Sequence, residues 1–221
     1  MSSRRIALLG GPVFFALWFV GANVLFFAVG GDTEESPLPG PDEFPEVVLT
    51  NEASMYLGAT LLGLAGIALL WFGVGMKDRV GSGRGLDLVV VVATAAISVL
   101  LFIEAGLVTA SVGLAEEAPE FSWMVHQLSG AVGFETFLGA LVGAVAVTGV
   151  LAAADKNSTP RWFWWFTVAI GVILAITGVL EGVNVIPPGR FAIFFGLWAA
   201  IAGLSLLTSP QDRLQSGATE G

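Results

Sequence analysis

Six stretches of the chain are apolar over a length that reaches across a lipid bilayer. Their cores run from Ile6 to Val29, Ala53 to Met76, Leu88 to Leu114, Val125 to Ala154, Trp162 to Ile186 and Phe191 to Thr208. The hydrocarbon layer takes about 20 helical residues per crossing. Its lack of water obliges each crossing segment to bond its own backbone, which a helix does. The expected fold class is therefore all-α: a polytopic transmembrane helical bundle of about six spans. One domain covers residues 1–208, and the short polar tail 209–221 is expected to be disordered and cytoplasmic.

Charge placement gives the expected orientation. Arg4, Arg5, Lys77, Arg79, Arg84, Lys156, Arg161 and Arg213 all fall on one side of the six spans, and only Arg190 falls on the other. Basic residues favour the cytoplasmic side, so both termini are assigned there, in a multi-pass protein of the cell membrane. The outer loops collect Asp32, Glu34, Glu35, Asp42, Glu43, Glu46, Glu52, Glu116, Glu117 and Glu120, which reads first as a solvated acidic surface. Ser3-Arg4-Arg5 before an apolar run resembles a secretory signal, but the run is long and five more follow, so the first helix is read as retained.

Composition removes several classes of function. Hydrophobic residues make up 55% of the chain and charged residues 12%, which a water-facing surface does not allow. There is no Cys and a single His, so thiolate chemistry and multi-His metal sites are absent; neither a metal nor a cofactor is expected. A net charge of −9 is unsuited to nucleic acid. The acidic, Lys-poor balance fits a prokaryote of high salt or high GC content. No phosphate-binding loop, dinucleotide fingerprint, HExxH or serine-hydrolase elbow is present.

Ionisable groups inside lipid-spanning helices are costly, so each one calls for a reason. Glu104, Glu135 and Glu181 are the three here. Asn23 lies in the outer half of the first span. Glu52, Tyr56 and Thr60 recur every four residues in the second, and Thr177, Glu181 and Asn184 form a stripe in the fifth. These groups fall in the outer half, and the expectation is an outward-facing acidic pocket floored near Glu135, with Arg190 able to reach back to Glu181. The sixth span has almost no polar side chain at that depth and is expected at the periphery. His126, nine residues before Glu135, faces away from it on a helix and reads as interfacial. Trp162-Phe163-Trp164-Trp165-Phe166 reads as a membrane-interface belt.

The candidate ligand-binding set is thus Asn23, Tyr56, Glu104, Glu135, Glu181, Asn184 and Arg190. Burial and mutual repulsion both raise carboxyl pKa values, so such a cluster suits a proton, a small cation or a lipid-like ligand. The bland alternative is a protonated carboxyl acting as interhelical glue. Function stays open between a protein that binds or moves such a ligand, an intramembrane enzyme using a Glu as general acid or base on a lipid or isoprenoid, and an accessory or structural subunit. Gly139 and Gly143 form GxxxG, a close-packing signal compatible with a helix–helix oligomer as well as with internal packing. Tyr56-Leu57-Gly58-Ala59 echoes Phe137-Leu138-Gly139-Ala140, and Ile103-Glu104-Ala105-Gly106 echoes Leu180-Glu181-Gly182-Val183, as parallel repeats would.

Asn51-Glu52 opening the second span, Ile103-Glu104-Ala105-Gly106 in the third and Thr159-Pro160-Arg161-Trp162 before the fifth carry a resemblance. In that order they resemble a family of bacterial six-helix membrane proteins known only as a domain of unknown function. The resemblance extends over most of the chain and implies the six-helix architecture. It implies no activity.

Overall fold

A computed structural model describes residues 3–30, 39–80, 86–134, 136–153, 161–183, 185 and 191–207. Glu135, Asn184, Arg190, the Pro187-Pro188-Gly189 turn and the tail 209–221 lie outside the described residues. The described elements are all helical: α1 (Ser3–Leu8), α2 (Gly10–Ala28), α3 (Phe44–Thr50), α4 (Glu52–Val80), α5 (Leu86–Glu117), α6 (Pro119–Val132), α7 (Phe137–Ala153), α8 (Arg161–Gly182) and α9 (Ala192–Leu207). Four segments are long and apolar enough to cross a membrane: Ile6–Ala28, Glu52–Lys77, Leu88–Glu117 and Arg161–Gly182. Two shorter apolar helices accompany them, Gly139–Leu151 and Ala192–Leu207.

The helices close a ring. α2 packs on α4, α4 on α5, α5 on α6 and α7, α7 on α8, α8 on α9, and α9 back on α2. Glycine permits the tightest of these crossings. Gly10 presses on the α4 backbone at Ala68 and Phe72, and Gly11 on the α9 backbone at Ala199, so no side chain fits at either position. The outer surface of the ring is apolar: Val13, Val20, Leu64, Trp71, Val92, Val99, Val172 and Leu204 are all exposed. A soluble protein does not leave so continuous an apolar exterior, whereas a lipid-facing one requires it. The aromatic run at the start of α8 divides in the same sense, with Trp162 and Trp165 exposed and Phe163 buried.

Three expectations are corrected. First, the stretch Val125–Ala154 is not one helix. α6 begins earlier, at Pro119, and ends at Val132; α7 begins at Phe137. Second, the gap left between the third and fourth apolar stretches, residues 115–124, shrinks to Ala118. Pro119 opens α6 because a first-turn residue needs no backbone N–H. Third, the acidic first loop contains α3, whose Phe44 and Val48 are completely covered against α5 and α6. The i, i+4 spacing of these two side chains behind Pro45 is a short amphipathic helix inside a Pro-rich segment.

The sixth apolar segment is not peripheral in its packing. Phe191, just before α9, and Phe195 and Trp198 within it enter the interior, all three completely buried. Trp198 Nε1–H donates to Thr167 Oγ1 of α8 at 3.3 Å. The absence of polar side chains in α9 reflects an aromatic core rather than distance from the centre.

Candidate functional site: a carboxylate at an interrupted helix

The interruption between α6 and α7 is built by sequence. Gly130 and Gly133 weaken the end of α6. Gly133 leaves the helix in an extended conformation, φ −71° and ψ −176°, its N–H still donating to Ser129 O. Thr136 Oγ1 donates back to Gly133 O at 3.0 Å, and Thr136 O then accepts Ala140 N–H as α7 begins.

One amide inside this break has no helical acceptor, and α5 supplies one. Phe134 N–H donates to Glu104 Oε2 at 3.0 Å. The fit is close on both sides. A Cβ on Gly133 would lie 2.6 Å from the same carboxylate oxygen and 2.7 Å from Ser129 O. Glu104 therefore occupies the space that a side chain at 133 would take.

The break lies half-way along the bundle. α4 meets α5 at Gly66, opposite Ser98 and Phe102, and at Gly73, opposite Thr94. That register sets Glu104 level with the middle of the Glu52–Lys77 segment. On the other side, the Phe134 ring is completely buried 6.1 Å from Phe14 and 5.9 Å from Trp18, near the middle of Ile6–Ala28. Phe191 at 5.7 Å and Phe195 at 6.0 Å complete its surroundings. With 14 and 17 residues, α6 and α7 are about 21 and 26 Å long, and together they match the 32-residue α5 at about 48 Å. The pair forms one discontinuous helix running alongside α5.

Glu181 approaches the same break from α8. It ends a buried stripe formed with Thr167, Ile170, Leu174 and Gly178. Gly178 abuts Ala140 and Leu141 of the antiparallel α7, so one turn further Glu181 is level with the start of α7. The residue is 6% exposed, and both carboxylate oxygens are enclosed. The two carboxylates thus meet opposite helix ends: Glu104 lies by the carbonyl terminus of α6, Glu181 by the amide terminus of α7. A helix amide end favours a carboxylate's charge and a carbonyl end opposes it. No Lys or Arg occurs anywhere from residue 86 to 153.

The other candidates separate from this pair. Asn23 lines a cleft of about 390 Å³ with Asn51, Ser54, Phe19 and Phe27, and its Nδ2 donates to Phe19 O at 2.7 Å. Tyr56 is 38% exposed, and Glu52 and Thr60 share that outward face of α4. Thr177 bonds back to Ile173 O within α8. The Gly139/Gly143 face is filled from inside by Phe191 and Phe195. His126 stacks on Phe44, centroids 4.7 Å apart, so it joins α6 to α3. Sequence reasoning missed the parts that define the site: the Phe134 amide, the Gly133 space and the packing of α3 on α6. The Gly130/Gly133 pair was the visible signal for the break. Among the described residues no three His, Asp or Glu side chains come together as a metal cluster would.

No family model, no characterised protein and no solved structure matches this chain.

Proposed function

We propose that this is a six-crossing protein of the cell membrane, both termini cytoplasmic, that binds a proton or small cation at an outward-facing acidic site in its discontinuous fourth crossing. The observation that carries the reading is the Phe134 N–H donated to Glu104 at the helix break. Irregular backbone at membrane depth is tolerated where protein covers it or where it lines a polar site, and membrane ion sites are built in this way from half-helix ends. Glu104 is a carboxylate facing a carbonyl terminus, so a bound proton or cation relieves the repulsion that the charged form meets there. The glutamate of the break itself, Glu135, and the outer cation, Arg190, belong to this proposed site by sequence.

The inner half supports binding rather than transport. Inward of the break the bundle is filled by Phe14, Phe72, Phe195 and Trp198, all completely buried. Thr94 and Ser98, the polar side chains of α5 there, bond back to their own helix. Such packing gives a hydrated ligand no second exit.

Two experiments test this reading. Cysteines introduced at Ser36 and Ser82 of the Cys-free chain report topology: labelling of Ser36→Cys alone by an impermeant thiol reagent is expected from outside, and labelling of Ser82→Cys alone reverses the orientation. Calorimetric titration of the purified protein with sodium is expected to give a saturable heat in the wild type that Glu104→Gln lacks, and titration with acid to show the variant taking up one proton fewer. Identical titrations for the two proteins reduce Glu104 to a structural hydrogen-bond acceptor.

A further inference from the structure

The inner half of the bundle carries an apolar groove on its side. Between α5 and α7 a groove of about 460 Å³ is lined by Leu88, Val89, Val92, Ala93, Ala96, Leu141, Val142 and Val145. None of these side chains carries a polar atom. The groove exists because Ala93 and Ala96 present only methyl groups where the neighbouring turns present valine and leucine. Towards the inner end it narrows: a Cβ on Gly149 would come within 3.2 Å of Val90 and 3.3 Å of Val89, which shows how closely the two helices approach there. Val92 and Val145 on its rim are exposed, so the groove opens sideways at the level of the apolar exterior.

Two exposed cationic side chains on the flanking helices lie level with its inner end or beyond it. The contact of Gly73 with Thr94 fixes the register of α4 on α5, and four residues further Lys77 is level with Val90. Lys77 is exposed. Arg161, also exposed, opens α8, the other helix that flanks α7. An apolar slot running along the bundle beneath a cationic rim matches one amphiphile: an acyl chain for the slot and an anionic headgroup for the rim.

We infer that the α5–α7 groove is a binding site for one acyl chain of an anionic phospholipid, its headgroup held by Lys77 at the cytoplasmic end. The inference rests on the membrane reading and orientation above and is independent of the acidic site. A lipid held here would brace α7 against α5, and α7 is the half-helix that begins at the break.

The test uses the full-length protein in phosphatidylcholine vesicles holding a minor fraction of a photoactivatable lipid, with a diazirine on the acyl chain of either phosphatidylglycerol or phosphatidylcholine. Adducts are mapped by peptide mass spectrometry. Phosphatidylglycerol is expected to label residues 88–96 and 141–145 about fivefold more than phosphatidylcholine does, the factor given by one lysine's attraction of about 1 kcal/mol. Ala96→Leu fills the slot and should abolish the preference. Lys77→Gln, an exposed change that leaves the packing alone, should reduce it to near parity. Equal labelling by the two lipids in the wild type, or labelling of the groove no denser than that of Val13, Val20 and Val172, overturns the inference while leaving the membrane reading intact. Failure of either lipid to label any of the apolar exterior overturns both.

Discussion

The outer and inner halves of this bundle solve the same packing problem by different means. In the inner half, continuous helices meet through glycine backbone contacts and a set of interlocked rings, with Phe72 and Trp198 at 5.9 Å and Phe195 and Trp198 at 5.7 Å. At the inner limit of the outer half a helix breaks and a carboxylate replaces a helical acceptor; beyond it a hydroxyl bridges α6 to α5, and the short α3 is laid over both. Lipid gives apolar side chains no reason to associate, so packing and hydrogen bonds must hold such helices together. The inner half relies chiefly on packing, with the single Trp198–Thr167 bond between α9 and α8 described above, and the outer half on hydrogen bonds. A polar interaction can change with protonation and close packing cannot, so a responsive element belongs in the outer half.

The largest expected effect lies where the two halves meet. Phe134 donates its amide to the polar half and its ring to the aromatic core. Phe134→Ala should cost about 3–5 kcal/mol by leaving a cavity among the surrounding rings. Reversible unfolding in mixed detergent micelles measures it, and a loss below about 1 kcal/mol would mean that the ring is not a keystone.

Gly133→Ala should cost about 1–3 kcal/mol, because the new methyl meets Glu104 Oε2 and Ser129 O. Glu104→Asp withdraws the carboxylate, so the double variant should lose less than the sum of the two single losses. Strict additivity in that cycle would show that the two residues do not share the space.

Glu104→Leu should cost about 1–3 kcal/mol by orphaning the Phe134 amide, whereas Glu104→Gln, which keeps an acceptor, should stay within about 0.5 kcal/mol of wild type. If Gln destabilises as much as Leu, the carboxyl's charge rather than its acceptor oxygen holds the break. The smallest effect distinguishes the polar half from its surface. Ser122→Ala removes the 2.7 Å bond to Ser111 O and should cost about 0.6–1.7 kcal/mol. Tyr56→Phe, on an exposed face, should change stability by no more than about 0.5 kcal/mol.

Helix character and the apolar exterior were legible in the sequence because each depends on a run of about 20 residues, and hydropathy averaged over such a run carries the signal. Glu104 and Glu181 were legible because a carboxylate in an apolar run has few alternative explanations. What escaped were features set by single residues. The break at Gly133 divides a stretch read as one span, and the clearly apolar run within it is Gly139–Leu151, in α7; α6 is much more polar. α3 hides two buried side chains, Phe44 and Val48, among prolines and acids. α9 carries no polar group, and the same composition suits a lipid-facing helix and a core helix; only its partners decide. The stripe Glu52, Tyr56, Thr60 has the right period, but a period gives a face without saying which way that face points.

Infrared difference spectroscopy across a pH step reads the state of Glu104 directly, since a protonated carboxyl in a low-dielectric site has a carbonyl stretch separate from the amide bands. The wild-type protein is expected to show a band that appears or shifts with pH or on sodium addition and is missing in Glu104→Gln, with the helical signal of both proteins unchanged. A wild-type spectrum that loses nothing in Glu104→Gln would contradict it and leave the interrupted helix a structural feature alone.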